Sequence, residues 1–333
     1  MTEERILIVG AGVIGLSLAL RLRERGYGVE VLEAAGVGAR REGQASWAAA
    51  GMLAVHDVHH PAGLVEFAAW SGDLYENYLQ RVQAAAGLAV PYQTQMAVEY
   101  VEGTARWIEE RSIDPRQLML ALEAAVLAEG VEVRRDARVV HVRESGSGVE
   151  LELASGELCV ASRVVFAGGA WGAELVRPRK GQMLRVRLPD GFVLEQVHRS
   201  EEVYVVPRLY GPQAGTALIG ATVEDVGFDT RVEEDVLREL RARGAKLVPE
   251  LGDAREAPMV EAWAGLRPGT EDGLPVMGAV PGMSRQFVAS GHFRNGILLA
   301  PATAEAMVDL LEDRARVVDM SALAPRSIAH AGR

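Results

Sequence analysis

Residues 5–33, RILIVGAGVIGLSLALRLRERGYGVEVLE, constrain the fold more than any other stretch of the chain. Ile6 to Val9 is a short, wholly apolar run, the pattern of a parallel strand covered on both faces. Gly10-Ala11-Gly12-Val13-Ile14-Gly15 follows, after which Leu16, Ala19, Leu20 and Leu22 recur at helical spacing. Gly26 closes that helix, and Val29, Val31 and Leu32 form a second strand ending in Glu33. Alone, G-x-G-x-x-G is a weak pattern. Between a strand and a helix, with an acid 18 residues past its last glycine, it specifies a dinucleotide-binding βαβ unit. Gly10 permits the tight turn, Gly12 lets backbone approach a pyrophosphate, and Gly15 lets helix lie on strand. The helix N-terminus offers amide donors and partial positive charge to the phosphates. Glu33 can accept both hydrogens of a ribose diol, and its charge repels a 2′-phosphate. ADP-ribose of NAD or FAD is therefore favoured over NADP.

A chain of 333 residues, 49% hydrophobic, can bury a sizeable core. Its net charge of −11 argues against nucleic acid or an anionic membrane surface as partner. Cys159 is the single cysteine and sits in an alternating stretch, which makes it a small core residue and excludes an internal disulfide. A reducing, cytoplasmic location is expected. The Met-Thr-Glu-Glu start lacks the basic region of a signal peptide, and no apolar run reaches transmembrane length. The HDVHH stretch, 56–60, holds three histidines and an aspartate. Its positions alternate, Pro61 follows and no partner cluster exists elsewhere, so no metal site is assigned.

Three other stretches bear on the choice between NAD and FAD. GQASWAAAGML, 43–53, has the small side chains that backbone needs to pass close to a flat ring system; a plain alanine-rich helix is the alternative. Residues 130–175 read as a strand, a hairpin turning at Gly146 and Gly148, and a strand running into Gly168-Gly169. Pro301 suits the first turn of a helix over 301–312. The loop 291–296 before it, with Gly291 and Gly296, would then bring amide donors to a helix start.

The stretches IVGAGVIGLSLA, SWAAAGML, RKGQML, VYVVPR, IGATVED, WAGLRPGTEDGLPVMG and GHFRNGILLAPAT run from the first strand to residue 303. Together they resemble the D-amino-acid oxidase-like FAD flavoproteins. The resemblance implies an α/β fold: a Rossmann-like FAD-binding domain (1–82, 117–182 and 262–333) and a discontinuous antiparallel-sheet substrate domain (83–116 and 183–261). It implies non-covalent FAD, held near Val13, Ile14, Glu33 and Ala34 at the ADP half, and near Val139 at the adenine. Ala45, Ser46, Ala50, Gly51 and Met52 would pass along the flavin side. His292, Phe293, Arg294, Asn295, Gly296, Ile297 and Leu298 would turn at its pyrimidine edge, where amide donors stabilise charge on a reduced flavin.

The implied substrate is a small amino acid oxidised with O2, namely glycine, another small amine or a D-amino acid. Hydride would leave the α-carbon for flavin N5, giving an imine and hydrogen peroxide, with a role in thiamin thiazole synthesis. Arg267 matches the carboxylate-binding arginine, since a planar guanidinium fork grips a carboxylate bidentately. Tyr204 matches the tyrosine beside it, and Arg294 is expected to face the pocket. A homo-oligomer is implied as well. Two departures stand out. The chain is shorter than the family pattern between about 101 and 112. Glu202 is expected two residues before Tyr204 on one strand face, near the substrate. Oxidation of sarcosine, a dehydrogenase activity, and FAD as a purely structural ligand stay open.

Overall fold

Ile6, Leu7 and Ile8 have no exposed surface, and the strand they occupy, Arg5–Val9, lies in the middle of a six-stranded sheet. A computed structural model describes residues 4–37, 43–146, 148–172 and 175–325; the first three residues and the last eight of the expected FAD-binding domain lie outside these. From edge to edge the sheet runs Val276–Ala279, Gln286–Ser290, Arg163–Phe166, Arg5–Val9, Gly28–Leu32, Glu132–Arg134. All its pairings are parallel except that of the first edge strand. The helix Val13–Glu24 follows the glycine turn; every residue from Val13 to Leu20 is buried, so its first two turns are covered all round, as in a core helix. It packs with helices Val65–Ala86, Pro115–Ala128 and Gly296–Leu311 in one core on one side of the sheet. The meander Val139–Ser145, Gly148–Leu153, Leu158–Ala161 covers the other side with Val149, Leu151 and Cys159.

A nine-stranded sheet forms the second layer, and helix Glu234–Leu247 packs on it through Leu237 and Leu240. Its pairings are antiparallel apart from two short parallel ones. The α/β class and the antiparallel second sheet agree with expectation. Two strands of this sheet, Arg177–Arg187 and Met259–Gly269, run across the expected domain boundaries at 182 and 262. In the stretch where a shortening is expected, strands Tyr92–Val101 and Thr104–Ile113 join in a tight hairpin through Glu102 and Gly103, both at positive φ.

The expected helix at 301–312 requires correction. The helix spans Gly296–Leu311, with Pro301 inside it. A proline there removes an amide donor from the carbonyl four residues back. Tyr75 fills the gap, its hydroxyl donating to the Ile297 carbonyl at 3.0 Å. Ser71 Oγ donates to the Leu298 carbonyl at 2.7 Å and accepts from the Ala302 amide at 3.2 Å. The helix tolerates its proline because another helix, over 200 residues away in sequence, meets the displaced polar groups.

Candidate active site

A cavity of about 920 Å³ runs between the two sheets, from the carboxyl ends of strands Arg5–Val9 and Gly28–Leu32 to the face of the nine-stranded sheet. Such a crevice is where open α/β sheets hold ligands. The glycine turn at its first end has no room for side chains at Gly10 and Gly15. Gly10 sits at φ 113°, and a Cβ there would stand 2.5 Å from the Ala167 carbonyl oxygen. A Cβ on Gly15 would stand 1.9 Å from the Gly10 carbonyl oxygen, so Gly15 packs helix on turn and does not reach the cavity wall. Glu33 accepts from the Ala11 amide at 2.8 Å and the Ala35 amide at 2.9 Å. Each carboxylate oxygen keeps a second lone pair for a diol. The Val13 amide is not free; it donates to Ser46 Oγ at 3.0 Å. Ser46 therefore offers its own hydroxyl hydrogen in place of that amide. Gly12, Val13, Ile14, Ala34 and Val139 line the same end.

Along the middle, Ala45, Ser46, Ala50, Gly51 and Met52 form one wall. They are not one helix: a four-residue helix, Ala45–Ala48, gives way to extended chain and the short strand Met52–Leu53. A Cβ on Gly51, at φ 89°, would meet the Ile113 carbonyl oxygen at 2.1 Å.

The turn 291–297 closes the far end. Gly291 has φ 77° and would set a Cβ against Thr270. His292 is buried, its Nε2 3.0 Å from Thr303 Oγ1, and burial pushes its pKa down to about 3, leaving it neutral. The turn offers fewer donors than expected. The Phe293 amide is bonded to the Pro268 carbonyl and that of Asn295 to the His292 carbonyl, both at 2.8 Å. Gly296 and Ile297, in the first turn of the helix, line the cavity with amides that have no intrahelical acceptor. Leu298 turns its side chain into the helical core, 1% exposed, and does not line the cavity.

Arg267, Tyr204 and Arg294 meet at this end. Arg267 comes from strand Met259–Gly269 and donates from Nη1 to the Thr222 carbonyl at 2.9 Å. Among the described residues it has no carboxylate within ion-pairing distance. Burial and then Arg294 act against its charge, while Tyr204 and Glu224 favour it; the balance lowers its pKa, yet a guanidinium stays protonated. The Tyr204 hydroxyl donates to Met183 Sδ at 3.1 Å, a weak acceptor, and burial pushes its pKa up. Arg294 is exposed; it lines the cavity with its guanidinium 5.8 Å from the Phe293 ring centre and has no ion-pair partner among the described residues.

Strand Tyr204–Arg208 begins after Glu202, which lies in a bend with its amide on Ser200 Oγ. The face argument for Glu202 therefore does not hold, although the residue lines the cavity as an exposed side chain. Sequence reasoning missed Gly181, Met183, Thr222 and Arg208. The one available signal was charge inside apolar strands, in RKGQML and VYVVPR. Among the described residues no group of His, Cys, Asp and Glu is arranged to hold a metal ion, and no helix is long and apolar enough to cross a membrane.

A family profile described as "DAO: FAD dependent oxidoreductase" matches residues 5–112 and 96–310. Glycine oxidase of Pseudomonas aeruginosa is 30% identical over 372 aligned residues, covering 97% of this chain and 99% of its own length. The bifunctional protein ThiO/ThiG of Nostoc sp. is 32% identical, over 94% of this chain and 53% of that protein. The crystal structure of glycine oxidase from Geobacillus kaustophilus superposes with a TM-score of 0.87 at 28% identity, covering 99% of this chain and all of that one. The chain thus belongs to the DAO family of FAD-dependent oxidoreductases, as an oxidoreductase with FAD as its cofactor.

Proposed function

We propose that the protein is a glycine oxidase, acting on glycine and other small amino acids. The observation that carries this reading is Arg267: a half-buried guanidinium without a carboxylate, at the end of the cofactor cavity and beside a tyrosine hydroxyl. A cation drawn partly out of water gains from an anionic partner, and a substrate carboxylate supplies one.

In this reading the two segments 1–82 and 117–182, with 262–333, hold FAD, and 83–116 with 183–261 shape the substrate end. Glu33 takes the ribose diol, Ser46 and the Ile14 amide the pyrophosphate, and the amides of Gly296 and Ile297 face the pyrimidine edge. Ala45, Ala50, Gly51 and Met52 flank the ring. Bound FAD supplies a hydride acceptor at flavin N5.

The rest is done by side chains. Arg267 keeps Nη2 and Nε for the carboxylate while Nη1 stays on Thr222. Tyr204 remains protonated, and its hydroxyl exchanges the Met183 sulfur for a carboxylate oxygen, a stronger acceptor. Together they fix the α-carbon in one place, which is orientation catalysis. Arg294 adds positive potential at the same end. No protein base is required: an amine that enters neutral pushes its own lone pair toward the α-carbon as hydride leaves. The product is an imine, which hydrolyses to glyoxylate and ammonia or feeds thiazole assembly in thiamin synthesis; the relative that carries ThiO and ThiG in one chain supports the latter. Oxygen would regenerate the cofactor and yield hydrogen peroxide.

The test is the visible spectrum of the purified protein in the absence of air, before and after glycine. Bleaching of the flavin band by glycine is expected. Bleaching only by sarcosine or a D-amino acid moves the substrate, and a band unchanged by every amine tested turns FAD into a structural ligand.

A further inference from the structure

Lys180, Gly181 and Gln182 are consecutive on one strand and share one geometry. On the strand Arg177–Arg187, Gly181 faces one side while Lys180 and Gln182 face the other. Gly181 lines the cavity, and a Cβ on it would stand 2.2 Å from Nη1 of Arg267. The guanidinium therefore lies across a glycine because nothing larger leaves it room.

Lys180 is wholly buried. Its Nζ lies 3.6 Å from Glu224, 3.4 Å from Asp229 and 3.5 Å from Glu233, three carboxylates of one connecting segment, residues 221–233. Gln182 grips the same segment. Its Nε2 donates to Glu224 at 3.0 Å and to Glu233 at 3.3 Å, and its Oε1 accepts from the Glu233 amide at 2.8 Å. The Gln182 amide donates to Thr222 Oγ1 at 2.9 Å, and Thr222 Oγ1 in turn donates to Glu224. Lys180 and Glu224 also exchange backbone hydrogen bonds of 3.0 and 2.9 Å. The segment so held carries the Thr222 carbonyl that accepts from Arg267, and Val223 on the cavity wall.

We infer that Lys180 and Gln182 are positioning residues for the substrate carboxylate, clasping residues 221–233 so that Thr222 aims Arg267 across Gly181. The inference rests on the reading of Arg267 as the carboxylate-binding residue. Its physical basis is twofold. Removing the ammonium leaves three like charges on one short segment, which repel and displace Thr222. It also frees Glu224 to turn to Arg267 and occupy the substrate's place.

The experiment uses FAD-loaded protein and four variants: Lys180→Met, Gln182→Leu, the double variant Lys180→Met/Glu224→Gln, and Arg267→Lys. Acetate affinity is read from the perturbation of the flavin spectrum, beside the glycine KM, the rate at saturating glycine and the FAD Kd. Lys180→Met is expected to raise the acetate Kd and the glycine KM together by roughly tenfold, the weight of one charge-assisted hydrogen bond. The saturated rate and the FAD Kd stay near the parent's. The double variant recovers most of the loss, since it removes the competing carboxylate; a simple packing defect gives no such recovery. If Lys180→Met does not retain FAD, Gln182→Leu reads the same clasp without a lost ammonium, and an unchanged acetate Kd there overturns the inference. If Arg267→Lys binds acetate as well as the parent, the functional reading fails and this inference with it. If Arg267→Lys loses acetate while the clasp variants keep it, only the clasp is overturned.

Discussion

Arg208 donates from Nη2 to the Ala50 carbonyl oxygen at 2.7 Å, joining points 158 residues apart in the chain. The guanidinium is 1% exposed and has no carboxylate at ion-pairing distance among the described residues; burial lowers its pKa to about 10, still above neutral pH. Trp263 Nε1 holds the Ala48 carbonyl at 3.1 Å and Arg116 Nε that of Trp47 at 3.4 Å. Three side chains thus grip the carbonyls of Trp47, Ala48 and Ala50 from behind the cavity wall. In a trans peptide the N–H points opposite to the C=O, so the Gly51 amide is turned away from Arg208. Arg208→Met leaves the Ala50 carbonyl without its donor, a loss of about 1–3 kcal/mol. The expected result is an FAD Kd higher by roughly tenfold or more in a fluorescence titration of the apoprotein. An unchanged Kd would take Arg208 out of cofactor positioning.

Gly181→Ala puts a methyl group where Arg267 Nη1 now lies. The guanidinium must move, and the glycine KM is expected to rise at least roughly tenfold, the effect of losing one charge-assisted contact. The FAD titration should not change, because Glu33 lies at the other end of the cavity and Ser46 along its middle. A weaker FAD complex with normal KM would show that Gly181 serves the cofactor instead.

Ser46 joins the glycine turn to the flavin-side segment through the Val13 amide. Ser46→Ala strips the helix of this acceptor, worth about 1 kcal/mol as helix caps go. It also removes a hydroxyl donor from the expected phosphate path. Thermal melting of the apoprotein isolates the first loss and the FAD Kd adds the second. Equal shifts in both forms would mean that Ser46 caps the helix and no more.

Glu110 is buried, with Oε1 unpartnered and Oε2 3.3 Å from Arg199, and burial raises its pKa to about 7. An acid whose pKa is higher in the folded state binds more protons there than in the unfolded state. Its contribution is fully present below the unfolded value and is lost as pH rises toward 7. Relative to Glu110→Gln, the parent should therefore lose denaturant stability from about pH 4.5 to 7 and then level off. Parallel curves across that window would place the carboxyl in contact with water.

The N-terminal βαβ unit was legible because Gly10 and Gly15 answer to local steric demands that sequence spacing expresses. Gly10, Gly15 and Glu33 stand in the geometry that the spacing implies. Pro301 misled because proline at a helix start and proline inside a helix look alike in sequence. The difference is made by Ser71 and Tyr75, which no local window contains. Glu202 misled for a related reason: the alternation argument presumes a strand, and the strand starts at Tyr204. Lys180 and Arg208 were visible as charges within apolar strands, but their partners, Asp229 and the Ala50 carbonyl, come from distant segments.

Arg21 of the first helix pairs with Glu305, 284 residues later, and the strand Arg163–Phe166 beside the glycine turn is flanked by Gln286–Ser290. During synthesis, then, the segment that reads most plainly as a nucleotide-binding unit is only partly covered, by Pro115–Ala128 among others, until the ribosome has delivered the helix Gly296–Leu311. Its earliest apolar surface is left open to chaperones or to unwanted association for that interval. Long loop closures of this kind make folding slow.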